Sequence, residues 1–305
     1  MEPLVSVVIP THQRSHLVGR AVQSALAQSL KEIEVIVVID GSDESTERAL
    51  ASIVDERLRV VTLEKNQGAG VARNIGAENA RAEWIAFLDD DDEWMPEKLA
   101  VQLAAARQST VRYPIIACRL IMRRENRVVI LPRRTIAENE PLSEYLFCRS
   151  GIFWGDGLLQ TSTVLTKTDL VRRLPYSARR RGQDIEWLLR AAARSDVKIT
   201  YVTSIEPLAI WNISRNSYSP KPPANWRTLD WATQNFALFT PRAYAAYLLL
   251  YRSQRAARTR DPRVFFNVLR NAFQHGKPRW LDVLIYCGIW LRLDTLGQKI
   301  VRWRK

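Results

Sequence analysis

A chain of 305 residues with 47% hydrophobic content can bury a substantial core, which excludes a disordered protein and fits one large domain with an appendage or two smaller domains. Three cysteines, Cys118, Cys148 and Cys287, lie far apart and make no paired metal-ligand spacing, so neither a disulfide framework nor a cysteine-held metal is expected. The net charge of +13 is concentrated in residues 225–305, where fifteen Lys and Arg face four Asp, and this argues for a local anionic partner of the tail rather than a nucleic acid gripped by the whole chain.

The N-terminus carries Glu2 in place of a basic segment, and its apolar run Val5 to Ile9 is short for a signal peptide, so a cytoplasmic protein is expected. Val5 to Ile9 is a β-branched strand, followed by helical apolar spacing from Leu17 to Gln28. Glu34 to Ile39 is a second strand, nearly continuous in apolar residues as suits a sheet covered on both faces, and Asp40-Gly41-Ser42-Asp43 breaks it. A helix over Ser45 to Val54, a strand over Leu58 to Leu63, a helix opened by Gly68-Ala69-Gly70 and a strand over Trp84 to Leu88 complete the alternation. Such alternation predicts a Rossmann-like α/β fold with a mainly parallel central sheet, and ligands beyond the C-terminal strand ends.

The fourth strand runs into Asp89-Asp90-Asp91-Asp92, four consecutive carboxylates beside a core. On a near-extended backbone Asp89 and Asp91 project to one side and can converge on a hard divalent ion, while Asp90 and Asp92 project to the other. Asp92 precedes a helix announced by Pro96 and reaching Arg107, and is read as helping to cap it. Strands are then expected at Ile115 to Met122, Arg127 to Leu131, Thr161 to Leu165, Ile199 to Val202 and Leu208 to Asn212, with helices at Lys167 to Arg173 and from Gly182 to Arg190. Ser219-Pro220-Lys221-Pro222-Pro223 reads as a linker, and a helical tail follows.

An ordered series of motifs over residues 4–215 resembles the family 2 glycosyltransferases. Val5 to Thr11 resembles their opening strand, Val37 to Ser42 their nucleoside strand and turn, and Asn66 to Gly76 their glycine-rich helix entry. Phe87 to Trp94 resembles the aspartate-x-aspartate metal motif with its tryptophan, and Gln183-Asp184 stands where the family has Glu-Asp. The resemblance implies an inverting, metal-requiring transferase of the glycosyltransferase A type, with a catalytic domain over 1–224, divided into a nucleotide half (1–107) and an acceptor half (108–224), and a basic helical extension over 225–305. It implies a nucleotide-sugar donor, expected to be a UDP-sugar, and a glycan or lipid-linked oligosaccharide acceptor, as in polysaccharide biosynthesis.

Within that resemblance Asp91 and Asp89 would hold Mg²⁺ or Mn²⁺ against the leaving diphosphate. Asp40 would accept from the nucleoside base, with Pro10, Thr11 and His12 on the adjacent strand end, and Asp89 and Asp90 would complete the donor site. Arg73 either faces phosphate or pairs with an acid. Asp184 is the expected base that takes the acceptor proton, with Glu186 as its runner-up; the first turn of a helix favours acids whatever their function. Three positions depart from the family: Ile39 replaces an aspartate, His12-Gln13 replaces Tyr-Asn, and Gln183 replaces an acid.

A dinucleotide-dependent oxidoreductase fits poorly, because Arg73 occupies the position of the third glycine. A nucleotidyltransferase of related fold and a catalytically silent binding protein remain as alternatives. Trp154-Gly155-Asp156-Gly157 is either an acceptor loop or a packing turn. In the tail, Arg279 to Arg292 is apolar for less than the about 20 residues that cross a bilayer; with its flanking basic residues and tryptophans it either lies on an anionic membrane surface or packs on the catalytic domain or a second subunit of a homo-oligomer.

Overall fold

The computed structural model describes residues 2–124, 127–149, 157–179, 181–202, 206–213, 228–257 and 259–291. The chain runs β1 (Val5–Thr11), α1 (Ser15–Leu26), β2 (Ile33–Ile39), α2 (Glu44–Ala51), β3 (Leu58–Thr62), α3 (Ala69–Asn79), β4 (Trp84–Phe87), β5 (Glu93–Trp94), α4 (Lys98–Arg107), β6 (Tyr113–Ala117), β7 (Leu120–Arg124) and β8 (Arg127–Leu131). It continues with α5 (Leu142–Phe147), a 3₁₀ turn (Thr161–Thr163), β9 (Val164–Lys167), α6 (Thr168–Arg173), α7 (Gln183–Ala192), β10 (Val197–Tyr201) and β11 (Ala209–Ile213). The last elements are α8 (Thr228–Gln234), α9 (Pro241–Ala246) extended by a π turn (Tyr247–Tyr251), α10 (Ser253–Ala257), α11 (Pro262–His275) and α12 (Trp280–Trp290).

Two compact units divide the chain: 1–136 with 155–217, and 137–154 with 218–305. The sequence places one boundary at 224; the chain instead crosses between units three times, because 137–154 packs with the C-terminal helices rather than with the acceptor half.

In the first unit a seven-stranded sheet has the order β10-β6-β9-β4-β1-β2-β3. β1 pairs in parallel with both β2 and β4, and every residue of β1 and β2 is buried, as their unbroken apolar character predicts. Val5, Val7 and Ile9 pack with Val18, Ala21, Val22 and Ala25 of α1, while the opposite face takes α3. A Cβ at Gly76 of α3 would lie 2.3 Å from Val8 Cγ1, so only glycine lets this helix settle onto β1. β9 breaks the parallel pattern: it is antiparallel to β4 and β6, so its first residues meet the edge where the parallel strands end.

The strand expected from Ile115 to Met122 is two strands in two sheets. β6 belongs to the large sheet and β7 to a second sheet ordered β5-β11-β7-β8. Cys118 N donates to Thr163 O at 3.2 Å while Arg119 O accepts from Leu208 N at 2.9 Å, which turns the chain from one sheet to the other. An apolar run carries no mark of such a transfer.

The second unit is helical, as expected for the tail. α5 packs on α9, and Phe147 lies at the centre of an aromatic group, with ring centroids 5.0 Å from Tyr247, 5.5 Å from Tyr251 and 5.7 Å from Phe239. α11 buries Val264, Val268 and Ala272, and α12 buries Asp282, Tyr286 and Ile289. The expected linker at 219–223, the loop residues 154–156 and the chain from 292 onward lie outside the described residues.

Candidate active site

The four carboxylates after β4 do not lie on extended backbone. Asp92 N donates to Asp89 O at 3.0 Å and closes a turn. The turn still divides them two and two. Asp90 is buried and accepts from Thr11 Oγ1 at 2.7 Å and Arg14 Nη1 at 2.6 Å. Asp92, 1% exposed, accepts from Ser162 Oγ and Gln160 Nε2, both at 2.7 Å, and from Asn212 N at 3.2 Å. It therefore anchors the turn to the loop before β9 and does not cap α4, which begins only at Lys98. Burial, followed by Asp89 and Asp91, drives the Asp92 carboxyl well above the usual range, and burial likewise raises Asp90.

Asp89 and Asp91 are the less committed pair. Asp89 Oδ1 accepts from Arg73 Nη2 at 2.6 Å, and its Oδ2 meets only Gln160 Nε2 at 3.5 Å among the described residues. Asp91 Oδ2 is 3.2 Å from Arg14 Nη1, and its carboxylate also interacts with its own backbone N–H. Burial, then the neighbouring Asp89 and Asp90 charges, push Asp91 up to about 6, against the pull of Arg14. No group of three His, Cys, Asp or Glu among the described residues could cage a metal. Mg²⁺ and Mn²⁺ do not require one: such ions are held by one or two carboxylates with substrate phosphate and water, and the open oxygens of Asp91 and Asp89 fit that mode.

Arg73 reaches the turn from α3 and pairs with an acid, one of its two expected roles. Its guanidinium is 5.6 Å from the Tyr176 ring, and its Nε and Nη1 are buried without a hydrogen-bond partner. Burial opposes its charge, and Asp89 leads the groups that hold the guanidinium protonated; Asp184 is among them. Asp184 also acts on Tyr176, which is stacked on Trp187 at 5.0 Å, so the first turn of α7 lies within electrostatic reach of the acidic turn. Glu186 is buried and lies 3.2 Å from Arg179. Gln183 Oε1 and Ser177 Oγ, both near Gly70, are buried and unpartnered as well.

At the end of β2, Asp40 accepts from Gln67 N at 2.7 Å and Gly68 N at 2.8 Å. Gly68, with φ of +96°, turns the chain there into α3. Thr11 is occupied on both sides, its hydroxyl by Asp90 and its carbonyl by Asp40 N at 2.8 Å. Pro10 is fully inside β1, and His12 beyond it keeps a buried, unpartnered Nδ1. A cavity of about 520 Å³ lies elsewhere, lined by Arg81, Tyr113, Lys167 and Arg172, and contains none of these residues.

Arg14, Gln160, Ser162 and Asn212 are site residues that the sequence did not yield. Arg14 follows the strand end directly and could have been read as a counter-charge to the acidic turn. The other three come from distant segments, and no spacing marks them.

The profile described as "Glycosyl transferase family 2" matches residues 6–155. The amylovoran biosynthesis glycosyltransferase AmsB of Erwinia amylovora is 30% identical over 220 residues, which are 68% of this chain and 69% of AmsB. The chain belongs to glycosyl transferase family 2. A further relative, WfgD of Escherichia coli, named as a UDP-Glc:alpha-D-GlcNAc-diphosphoundecaprenol beta-1,3-glucosyltransferase, is 31% identical over 36% of this chain and 44% of its own. Two further curated relatives, 43% and 42% identical, are spanned over only 41% and 28% of their length. The S. aureus TarS 1-349 structure in complex with UDP-GlcNAc shares the fold, with a TM-score of 0.58 at 18% identity over 85% of this chain and 71% of that one. The family match thus covers the acidic turn and α3, and the fold match extends well beyond them.

Proposed function

We propose that this family 2 protein transfers a sugar from a nucleotide-sugar donor, a UDP-sugar, to a hydroxyl of a glycan or lipid-linked oligosaccharide with inversion, in polysaccharide biosynthesis. The observation that carries the reading is the pairing of two carboxylates that each keep an oxygen away from their arginine, Asp91 and Asp89, with two that are locked into the fold, at the C-terminal edge of a mainly parallel sheet. The UDP-GlcNAc in TarS and the UDP-Glc and diphosphoundecaprenol in the name of WfgD support the donor and acceptor classes.

Asp91 and Asp89 would hold Mg²⁺ or Mn²⁺. When bound there, such an ion neutralises charge growing on the leaving diphosphate. The amino end of α3, opened by Gly68 and Gly70, adds backbone N–H groups and a positive dipole end for the same anion. His12 offers its unpartnered Nδ1 on the nucleoside side, while Asp40 shapes that side by holding the 67–68 backbone. Asp184 takes the acceptor proton as the new glycosidic bond forms and the bond to diphosphate breaks.

The second unit adds a membrane surface. No helix of the described residues is long and apolar enough to cross a membrane. Phe265 near the start of α11 stacks on Tyr286 at 5.1 Å and meets Trp290 at 5.3 Å near the end of α12. The outer residues Phe266, Phe273, Trp280, Leu284 and Leu291 are 57 to 74% exposed, and Arg263, Arg270, Lys277 and Arg279 are exposed among them. Large apolar groups ringed by cations suit an anionic lipid interface, near a lipid-linked acceptor.

Turnover of a panel of UDP-sugars, followed as UDP release with Mn²⁺ and again with EDTA, tests the reaction. Release that EDTA abolishes is expected; the reading fails if no donor is consumed in the presence of metal. Co-sedimentation with anionic vesicles tests the surface. The full chain is expected to bind them and a chain ending near Pro223 to bind them much less, whereas equal binding overturns the membrane assignment.

A further inference from the structure

Lys98 is fully buried in the first turn of α4, where an ammonium is costly to desolvate and an apolar side chain of equal volume would fill the space without that cost. Burial draws it down only to about 8, so it remains mostly charged at neutral pH. Its contacts are polar and aromatic. Nζ donates to Gln102 Oε1 at 2.6 Å and stands 3.9 Å from the centroid of the Trp94 ring.

Both contacts lead to the same loop. Lysine only donates, so it selects the oxygen of the Gln102 amide and turns Nε2 toward two carbonyls, Ile116 O at 2.7 Å and Thr163 O at 2.8 Å. Trp94 Nε1 donates to Ser162 O at 2.7 Å. Two arms from one ammonium thus hold the consecutive carbonyls of Ser162 and Thr163. Between them stands the hydroxyl of Ser162, which donates to Asp92 Oδ2 at 2.7 Å and accepts from Asp89 N at 3.0 Å.

We propose that Lys98 is a positioning residue for the acidic turn: by orienting Gln102 and Trp94 it fixes the 162–163 backbone, and through Ser162 it sets the placement of Asp89 and Asp92. Without the ammonium, Gln102 Oε1 is left buried with no donor, which costs the orientation in which Nε2 holds the Ile116 and Thr163 carbonyls and loosens the loop. Side chains that orient carboxylate metal ligands in this way typically govern metal affinity by about 10- to 100-fold. The consequence for donor binding rests on the glycosyl-transfer reading above; the consequence for the turn does not.

The test uses full-length Lys98→Met, which keeps the volume and removes the charge, and Trp94→Phe, which keeps a ring under Lys98 and deletes the indole N–H. Amide exchange at Asp89 and Ser162 is read by hydrogen–deuterium exchange, and UDP binding with Mn²⁺ by calorimetry. Both variants are expected to exchange at least about tenfold faster at these two amides, with β1 and α1 unchanged, and to bind UDP about 10- to 100-fold more weakly. Wild-type exchange at Asp89 and Ser162 in the Lys98 variant overturns the proposal, whatever Trp94→Phe does. So does faster exchange spread evenly over β1 and α1, which marks a merely structural role. Should Lys98→Met not fold, Lys98→Leu, shorter and likewise uncharged, takes its place, and Trp94→Phe serves only to calibrate the loss of one arm. Wild-type protein that binds no UDP with Mn²⁺ speaks against the glycosyl-transfer reading, and the exchange comparison still decides the role of Lys98.

Discussion

Arg73 Nη2 and Asp89 Oδ1 stand 2.6 Å apart, with the arginine side chain 5% exposed and the aspartate 30%. The two are not equivalent, because only the arginine is sealed from water. Asp89→Ala leaves a buried cation without its acid and is expected to destabilise the protein by about 3–5 kcal/mol. Arg73→Met frees a half-exposed carboxylate and fills the cavity, so it should cost clearly less. Urea denaturation of the two variants checks the order, and equal losses would mean that the pair is not the main support of either residue.

Asp91 contributes a pH dependence of its own, beside those of Asp90 and Asp92. Its folded value of about 6 exceeds the ordinary carboxylate value, so between the two the folded chain binds the extra proton. The favourable contribution is present at low pH and is lost as pH rises through about 6. Asp91→Asn should therefore stabilise the metal-free protein at pH 7, by up to about 3 kcal/mol, and the gain should fade as pH falls toward 4. Melting curves across pH 4–7 with EDTA read it. With Mn²⁺ the sign reverses: wild type should gain stability from metal at pH 7 but little at pH 5, and Asp91→Asn should gain little at either.

Asp184→Asn keeps the shape of the first turn of α7 and removes the proton acceptor. Transfer is expected to fall by about 10²-fold or more while UDP affinity in calorimetry stays within a factor of about two. A matching fall in UDP affinity would assign Asp184 to donor binding instead. Glu186→Gln, next in the same turn, then separates the two acids.

Gln13 holds a left-handed conformation, with φ of +53°, directly after the His12 strand end. An L residue with a long side chain is disfavoured there, and glycine or asparagine is not. Gln13→Gly is expected to raise stability by about 1 kcal/mol, seen as a higher denaturation midpoint at unchanged slope. A lowered midpoint would indicate that the Gln13 side chain contributes more than its backbone costs.

Much of this site is legible in the sequence. The β-branched runs of β1 and β2 gave a sheet covered on both faces, and the alternation within Asp89 to Asp92 set Asp89 and Asp91 apart from Asp90 and Asp92 even though the backbone there is a turn; Asp90, expected in the donor site, is instead held by Thr11 and Arg14. The partners of the structural pair were not legible. Ser162, Gln160 and Asn212 reach Asp92 from about 70 and 120 residues away, through pairing that only the folded sheet defines. A carboxylate before a proline and an acidic helix start favours capping as the local reading of Asp92, and tertiary hydrogen bonds outweigh it. Segment 137–154 reads locally as part of the acceptor half for a similar reason: the aromatic partners of Phe147 lie in the tail.

The reversed direction of β9 also fixes the two ends of the chain between β4 and β9 at one edge of the sheet. That stretch is a closed excursion, and it includes the part that leaves the first unit after 136 and returns at 155. Doubling the length of such an excursion costs only about 0.6 kcal/mol in closure entropy. The portion that leaves the first unit can therefore be lengthened, shortened or exchanged as a cassette while the strand edge that carries the acidic turn keeps its register.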